Sequence, residues 1–362
     1  MLNSLRKIVQ EVTQEADFPV AVQLLVARVR KVLGTEVCSI YLVDGEDAGY
    51  LLAATEGLNA AQIGRLVLAK DQGLVGLVGR RAEPLNLDTA PLTNQFIRRM
   101  CLILLQYQPD APEPLIVAAN RDEFHQRASA PAHFWQDRPD LLAGRDLVAG
   151  GTWLGCTREG RFAALTNFNQ GPSMPAARSR GELVDGFLSA TEDAMAFAQG
   201  ISGEHYAGFN LLLYDGNDLI YASNVSVPGT PRLQVLPPGH YGLSNAELGA
   251  AWPKCEIGAE RLRQTVQRNY HLNDLLDLLN DRQPPADATL PNRGRPVEEE
   301  RHLAACFIVG EHYGTRASSA LSLGRDQIAF IERSWLAGGV RGEDVEFSFL
   351  RRSTQPAKRL GA

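Results

Sequence analysis

Cys101 is the residue in this sequence with the most reactive chemistry in reach. It follows Met100 and the basic pair Arg98–Arg99, and it opens the apolar run CLILL. The thiolate is the reactive form of cysteine, and a nearby cation favours it. The plain alternative is a buried small hydrophobe, the commoner fate of a cysteine on an apolar strand. A second polar cluster, Asn120, Arg121, Asp122 and Glu123, ends the next apolar run, PLIVAAN. Its structural reading is an aspartate that caps a turn and pairs with the arginine. Asn167 in ALTNF, Asn245 in GLSNA and Arg316 in YGTR complete the set. Taken singly, the asparagines are explained by loop backbone groups that need partners, and the arginine by an ion pair.

Other chemistries are weakly supported. The five cysteines form no C-x-x-C pair, so neither a disulfide framework nor a zinc site is expected. His302 and Cys306 are spaced i, i+4, but the second falls in an expected strand. GLVGLVG has glycines only loosely spaced for a dinucleotide loop, with no βαβ unit and acidic residue after it. The net charge of −6 gives no reason to expect nucleic acid or an anionic membrane as partner. No apolar run is long enough to cross a bilayer. The N-terminus reads as an amphipathic helix and not a signal peptide. A reducing, cytoplasmic setting is the expectation.

The elements that must position these groups follow from periodicity. Leu2 to Val12 reads as a helix, and so does Phe18 to Leu33, which ends before Gly34, a good C′ residue. Glu36–Asp44 and Tyr50–Leu58 form a hairpin. A short helix over Asp71–Arg81 and a strand over Pro84–Leu87 follow. The character changes near Ile97. Strands are expected at the CLILL run, Pro114–Asn120, Arg161–Phe168, Phe209–Asp215 and Asp218–Asn224, the last two joined through Gly216 and Asn217. Helical patterning covers 181–199 and 259–280. ACFIVG, SSALSLG, QIAFIER and DVEFSFL alternate as strands near the end. Many strands with a few inserted helices fit helices covering a sheet sandwich or a layered α+β fold.

Two resemblances meet at this change of character. LRKIVQEV, EVCSIYLVD, ATEGLN and QGLVGLVG followed by EPLNL resemble the start of the GAF domain of the nitrogen-branch phosphoenolpyruvate-protein phosphotransferase. The likeness stops midway through that domain and omits the phosphotransfer domains, so phosphotransferase activity is not expected. From Met100 onward the chain resembles the NRDE family, the relatives of transport and Golgi organisation protein 2. MCLI, AANRDEF, AGRDLVAGGTWLG, ALTNF, SRGELV, GFNLL, YGLSNA with WPK, and YGTRASS carry that likeness in order. MCLI ordinarily opens members of the family. Its place at position 100 therefore reads as a fusion, whether of genes or of gene predictions.

The resemblance implies an α+β fold. The expected form is an N-terminal-nucleophile-hydrolase-like αββα sandwich preceded by an incomplete GAF-like α/β segment. The segments are a partial GAF-like domain over 1–96, a junction at 97–100, the NRDE module over 101–352 and a basic tail over 353–362. An NRDE module that starts Met-Cys is similar to the cysteine amidases of the N-terminal-nucleophile class. That likeness implies a catalytic set of Cys101, Asp122, Asn167, Asn245 and Arg316, with Asn120 and Arg121 in the pocket or second shell. Cys101 is the nucleophile, with its own α-amine as base once it is N-terminal. Asp122 orients it, Asn167 and Asn245 help build an oxyanion hole, and Arg316 lies close to the sulfur. The amidases also keep an arginine where this chain has Ala119. The implied substrate is a non-peptide C–N or acyl bond in a small hydrophobic or amide-containing metabolite, and no cofactor is expected. The alternative implied by eukaryotic relatives is a binding or trafficking protein for haem, a lipid or an acyl-CoA. A regulator acting through the GAF-like segment ranks third.

Overall fold

The structure is a computed structural model that describes residues 11–13, 15–35, 37–43, 49–57, 60–68, 75, 78, 100–168, 178–225, 231–291 and 297–352. Most of the helix expected over Leu2–Val12 and most of the short helix over 71–81, together with the strand over 84–87, residues 97–99 of the junction and the basic tail, lie outside the described residues. The chain divides into two units, Met1–Arg98 and Arg99–Ala362. No helix among the described residues is long and apolar enough to cross a membrane.

In the first unit, helix α1 (Phe18–Leu33) starts where the Asp17 carboxylate accepts a hydrogen bond from Val20 N at 3.1 Å. It stops at Gly34, whose φ of 66° is left-handed and whose N–H returns to Arg30 O. Glycine adopts that conformation without a Cβ penalty. Strands β1 (Cys38–Val43), β2 (Tyr50–Glu56) and the two-residue β3 (Val67–Leu68) form a three-stranded sheet in that order. Val22, Val26 and Ala54 make the small core between helix and sheet.

The second unit is built from two antiparallel sheets. One has six strands in the order β13 (Gly239–Leu243), β4 (Cys101–Tyr107), β5 (Leu115–Phe124), β14 (Tyr313–Leu323), β15 (Gln327–Leu336) and β16 (Val340–Leu350). The other has seven: β12 (Arg232–Val235), β11 (Leu219–Ser223), β10 (Phe209–Tyr214), β9 (Phe162–Asn167), β8 (Leu154–Thr157), β7 (Leu141–Asp146) and β6 (Ser129–Phe134). Their inner faces share one core that includes Ile103, Leu105, Val117, Ala164, Leu212, Leu321 and Phe330. Helices α2 (Gly181–Ser189) and α3 (Ala194–Gln199) cover the outer face of the seven-stranded sheet. Helices α4 (Pro253–Val266) and α5 (Leu272–Leu279) cover the outer face of the other. This is the αββα sandwich, α+β in class, that was expected. A further helix, α6 (Val297–Ala304), follows the proline-rich loop.

Four differences from the sequence reading have physical causes. The run over 181–199 is two helices, because Asp193 starts a new one by accepting from Ala196 N at 2.7 Å. The two helical runs expected within 259–280 form α4 and α5, but α4 starts earlier, at Pro253, where proline suits the first turn, and Asp274 caps the start of α5 through His271 N. ACFIVG is not a strand. Phe307 N bonds to Asp281 O, Ile308 N to Thr315 Oγ1 and Ile308 O to Thr315 N, so this buried run meets its hydrogen bonds without a full ladder. Strands β6, β7, β8, β12 and β13 were not anticipated. They are short or carry proline, glycine and charge, which masks the alternation.

Strand β4 is buried on both sides, which is why CLILLQY reads as a continuous apolar run. Helix α4 lies very close against β4 and β13. A Cβ on Gly242 would stand 2.3 Å from the Cys255 carbonyl oxygen, and one on Gly258 would stand 2.7 Å from Leu104 Cδ2. Gly242→Ala is therefore expected to push α4 off the sheet and destabilise the unit by about 1–3 kcal/mol. Urea denaturation checks this, with a lowered midpoint predicted and an unchanged stability contradicting the packing argument.

Candidate active site

Antiparallel pairing sets the site. Along the inner face of β4 and β5 the opposed pairs are Tyr107 with Leu115, Leu105 with Val117, Ile103 with Ala119, and Cys101 with Arg121. Side chains alternate along a strand, so all four pairs face the space between the sheets. The first three belong to the core. At the fourth the inner face turns polar, and a cavity of about 600 Å³ opens between the sheets. Cys101, Arg121, Glu123, Glu332 and Arg316 line it from one sheet, and Asp146, Trp153 and Asn167 from the other. The start of α2 reaches the cavity at Gly181. It comes that close because Gly151 has no side chain, and a Cβ there would lie 2.7 Å from Gly181 C.

Cys101 is buried, and both of its backbone groups are held. Its N–H donates to Asn245 Oδ1 at 2.8 Å, and its carbonyl oxygen accepts from Ser244 Oγ at 2.6 Å. Asn245 Nδ2 in turn donates to Asn167 O at 2.7 Å. The preceding residue, Met100, is fully buried, and Tyr313 Oη accepts from its N–H. Burial pushes the Cys101 thiol up to about 12. The Asp122 carboxylate adds to the rise, while the Asp122 backbone N–H and the Arg121 charge oppose it. In the chain as it stands this thiol is neutral at physiological pH.

Asp122 is also buried, and Thr315 Oγ1 donates to its Oδ1 at 2.7 Å. Its Oδ2 has no hydrogen-bond partner among the described residues. Burial raises its pKa to about 7, against the attraction of Lys254, the Thr315 bond and Arg121. Alternation turns this side chain to the helix-covered face of β5, so it acts on the thiol through its charge and its backbone N–H. Glu332, deeper in the cavity, bridges the sheets by accepting from Ala132 N at 2.8 Å and Ser319 Oγ at 3.2 Å. Burial raises its pKa as well.

The expected site residues divide into three groups. Cys101, Arg121 and Asn167 meet at the cavity, which Asp122 borders while its carboxylate turns to the other face of β5. Asn167 keeps its side-chain amide without a partner among the described residues. Asn245 is fully buried beside the Cys101 nitrogen and does not line the cavity, so the oxyanion-hole role inferred from the resemblance does not fit its position. Asn120 lies behind the sheet. Its Nδ2 donates to Leu279 O and Cys306 O, both at 2.9 Å, and Ser318 Oγ donates to its Oδ1, so it ties α5 to β5 and is no pocket residue. Arg316 lines the cavity, but its Nη1 donates to the carbonyl oxygens of Phe124, His125 and Arg127. Among the arginines it is Arg121, across the ladder from Cys101, that lowers the thiol pKa. Ala119, where the amidases keep an arginine, is one pair deeper and wholly inside the apolar core. Tyr313, Ser244, Lys254 and Glu332 were missed. Tyr313, Ser244 and Lys254 sit inside the quoted motifs YGTRASS, YGLSNA and WPK, whereas Glu332 approaches through long-range contacts with no local signal.

The comparisons agree with this division of the chain. The Transport and Golgi organisation 2 family profile matches residues 100–337. The chain therefore belongs to the Transport and Golgi organisation 2 family. The human Transport and Golgi organization protein 2 homolog is 36% identical over 262 residues, covering 66% of this chain and 94% of that one. The N-terminal segment is similar to the phosphoenolpyruvate-dependent phosphotransferase system protein of Escherichia coli, 44% identical over 90 residues. That match spans 25% of this chain and 12% of the relative. Among solved structures, a Caenorhabditis elegans N-acylethanolamine-hydrolyzing acid amidase ortholog aligns over 62% of this chain and 93% of its own, at 10% identity and a TM-score of 0.39.

The raised Asp122 pKa carries a sign. An acid that binds its proton more tightly when folded loses stability as pH rises from its ordinary value of 3.8 towards about 7, and the loss is complete above that. Asp122→Asn removes this dependence. Urea titrations across that range should show wild-type stability falling relative to the variant up to about pH 7 and running parallel above it. A difference that stays flat or rises with pH contradicts the assignment.

Proposed function

We propose that the second unit is a cysteine amidohydrolase of the N-terminal-nucleophile type, silent while Cys101 is joined to Met100 and active once Cys101 begins the chain. Its substrate is a small metabolite with a non-peptide amide or acyl bond. The observation that carries this reading is the pairing of a cavity-lining thiol with a backbone nitrogen already held by Asn245 Oδ1 at 2.8 Å. As a peptide amide that nitrogen cannot accept a proton. As an α-amine its reference pKa is about 8, so it can take the thiol proton near neutrality. The thiolate then attacks the substrate carbonyl carbon while the free Asn167 amide faces the developing oxyanion. The protonated amine returns its proton to the leaving nitrogen, and water hydrolyses the thioester. Removing one oxyanion donor costs roughly 10²–10³ in rate.

The blocked nitrogen and the thiol at about 12 favour a second reading for the uncut chain: a carrier that binds a hydrophobic metabolite, such as haem, a lipid or an acyl-CoA, without reacting. Haem titration followed by difference spectroscopy tests the haem version, and no Soret shift rejects it.

The catalytic reading is tested by comparing full-length protein with a chain released to begin at Cys101, using amine release from a panel of N-acyl amides. Turnover is expected only from the released chain. It should vanish in Cys101→Ala and fall roughly 10²-fold in Asn167→Ala. Turnover by uncut protein, or by the Cys101→Ala variant, overturns the proposal.

A further inference from the structure

Charge on the cavity wall suggests what its ligand must carry. Six arginines line it: Arg145 and Arg178 pair with Asp137 and Glu182, Arg180 donates to Gly208 O, and Arg121, Arg127 and Arg316 remain on the wall near Cys101. Two carboxylates serve Arg121 and Arg127. Arg127 Nε lies 2.7 Å from Asp146 and 3.6 Å from Glu123, and Arg121 Nη2 lies 3.5 Å from each. Arg316 has no carboxylate partner among the described residues. Its Nη1 is fixed by three carbonyl oxygens at 3.0, 3.0 and 2.8 Å, and its Nη2 is 3.5 Å from Ser129 Oγ. Carbonyl dipoles orient a guanidinium but leave its net charge in place. Arg316 is half-buried, and burial together with Arg121 disfavours its charge by more than the Glu123 carboxylate, which lies beyond ion-pair distance, favours it. A partly desolvated charge without a direct ion pair is costly, and such groups are ordinarily paired.

We infer that the ligand of this cavity carries a single carboxylate-type anionic group that docks on Arg316. Its reacting or buried amide then points along the wall towards Cys101. The inference rests on the cavity being the ligand site, which both readings above share, and it adds the ligand's charge and the residue that recognises it. Guanidinium suits the task, since its planar fork meets a carboxylate through two parallel hydrogen bonds. A purely structural Arg316 would hold the turn after β5 and show no preference between charged and neutral ligands.

The test is equilibrium binding to the full-length protein, which does not depend on turnover. N-dodecanoylglycine and its methyl ester are titrated in parallel by calorimetry. The acid is expected to bind at least tenfold more tightly than the ester, and raising the salt concentration should shrink the gap. Arg316→Gln should bring the ratio close to one, while Arg316→Lys should keep part of it. Because Arg316 also holds backbone carbonyls, the unfolding temperature of each variant is recorded beside its affinities. If Arg316→Gln does not fold, the matched pair and its salt dependence on the unaltered protein decide the matter. Equal affinity for acid and ester, or a preference that survives Arg316→Gln, overturns the anion assignment while leaving the cavity as a ligand site. Binding of neither probe overturns the assignment and the ligand-site reading with it.

Discussion

The register of β4 between β13 and β5 is the constraint on which the site depends. Pairing Cys101 with Arg121 puts the thiol at the end of the inner face, one step beyond the apolar pair of Ile103 and Ala119. A slip of one residue would turn Cys101 towards the helices and Leu102 into the cavity. Several contacts oppose that slip. Gly242 and Gly258 let α4 lie on β13 and β4 without clearance, and Ser244 and Asn245 hold the two backbone groups of Cys101. Ser244 and Asn245 thus help to fix the strand and also hold the nitrogen and carbonyl of Cys101.

The same burial that builds the sandwich sets the chemistry at its end. Desolvation raises Cys101, Asp122 and Glu332 together, which favours the neutral form of each, whereas the Arg127 bond helps to hold Asp146 low. Arg121 works against the rise at Cys101 from across the ladder, two residues along the same strand face from Ala119. A cation is therefore kept near the thiol although Ala119, one pair deeper, belongs to the apolar core. On the proposed reading, the base is the Cys101 nitrogen once it is an α-amine.

Much of the fold was legible because its central strands are buried on both faces and its helices are strongly patterned. CLILLQY, LIVAAN, FNLLLY and LIYAS announce themselves as apolar runs. The strands of the second sheet nearest the cavity do not. SAPAHF carries a proline beside a register shift, LLAGRD ends in charge, and LGCT is four residues long. ACFIVG misled in the opposite direction, since an apolar run buried in coil looks like a strand until its hydrogen bonds are traced. At the site, the cluster of Cys101 with Arg121 and Asp122 follows from adjacent strands. The side-chain directions of Asn120, Asn245 and Arg316 depend on which sheet face or turn each one meets, and motif order does not carry that information.

The central claim is that the state of the Cys101 nitrogen governs its thiol. The most direct measurement is the pH dependence of Cys101 alkylation, read by peptide mass mapping, in full-length protein and in a chain that begins at Cys101. The uncut chain should react negligibly below pH 9, consistent with a thiol held near 12. The released chain should react readily near neutrality, with an apparent pKa at or below about 8. A Cys101 that alkylates at neutral pH in the uncut chain, or at the same rate in both, would contradict the account.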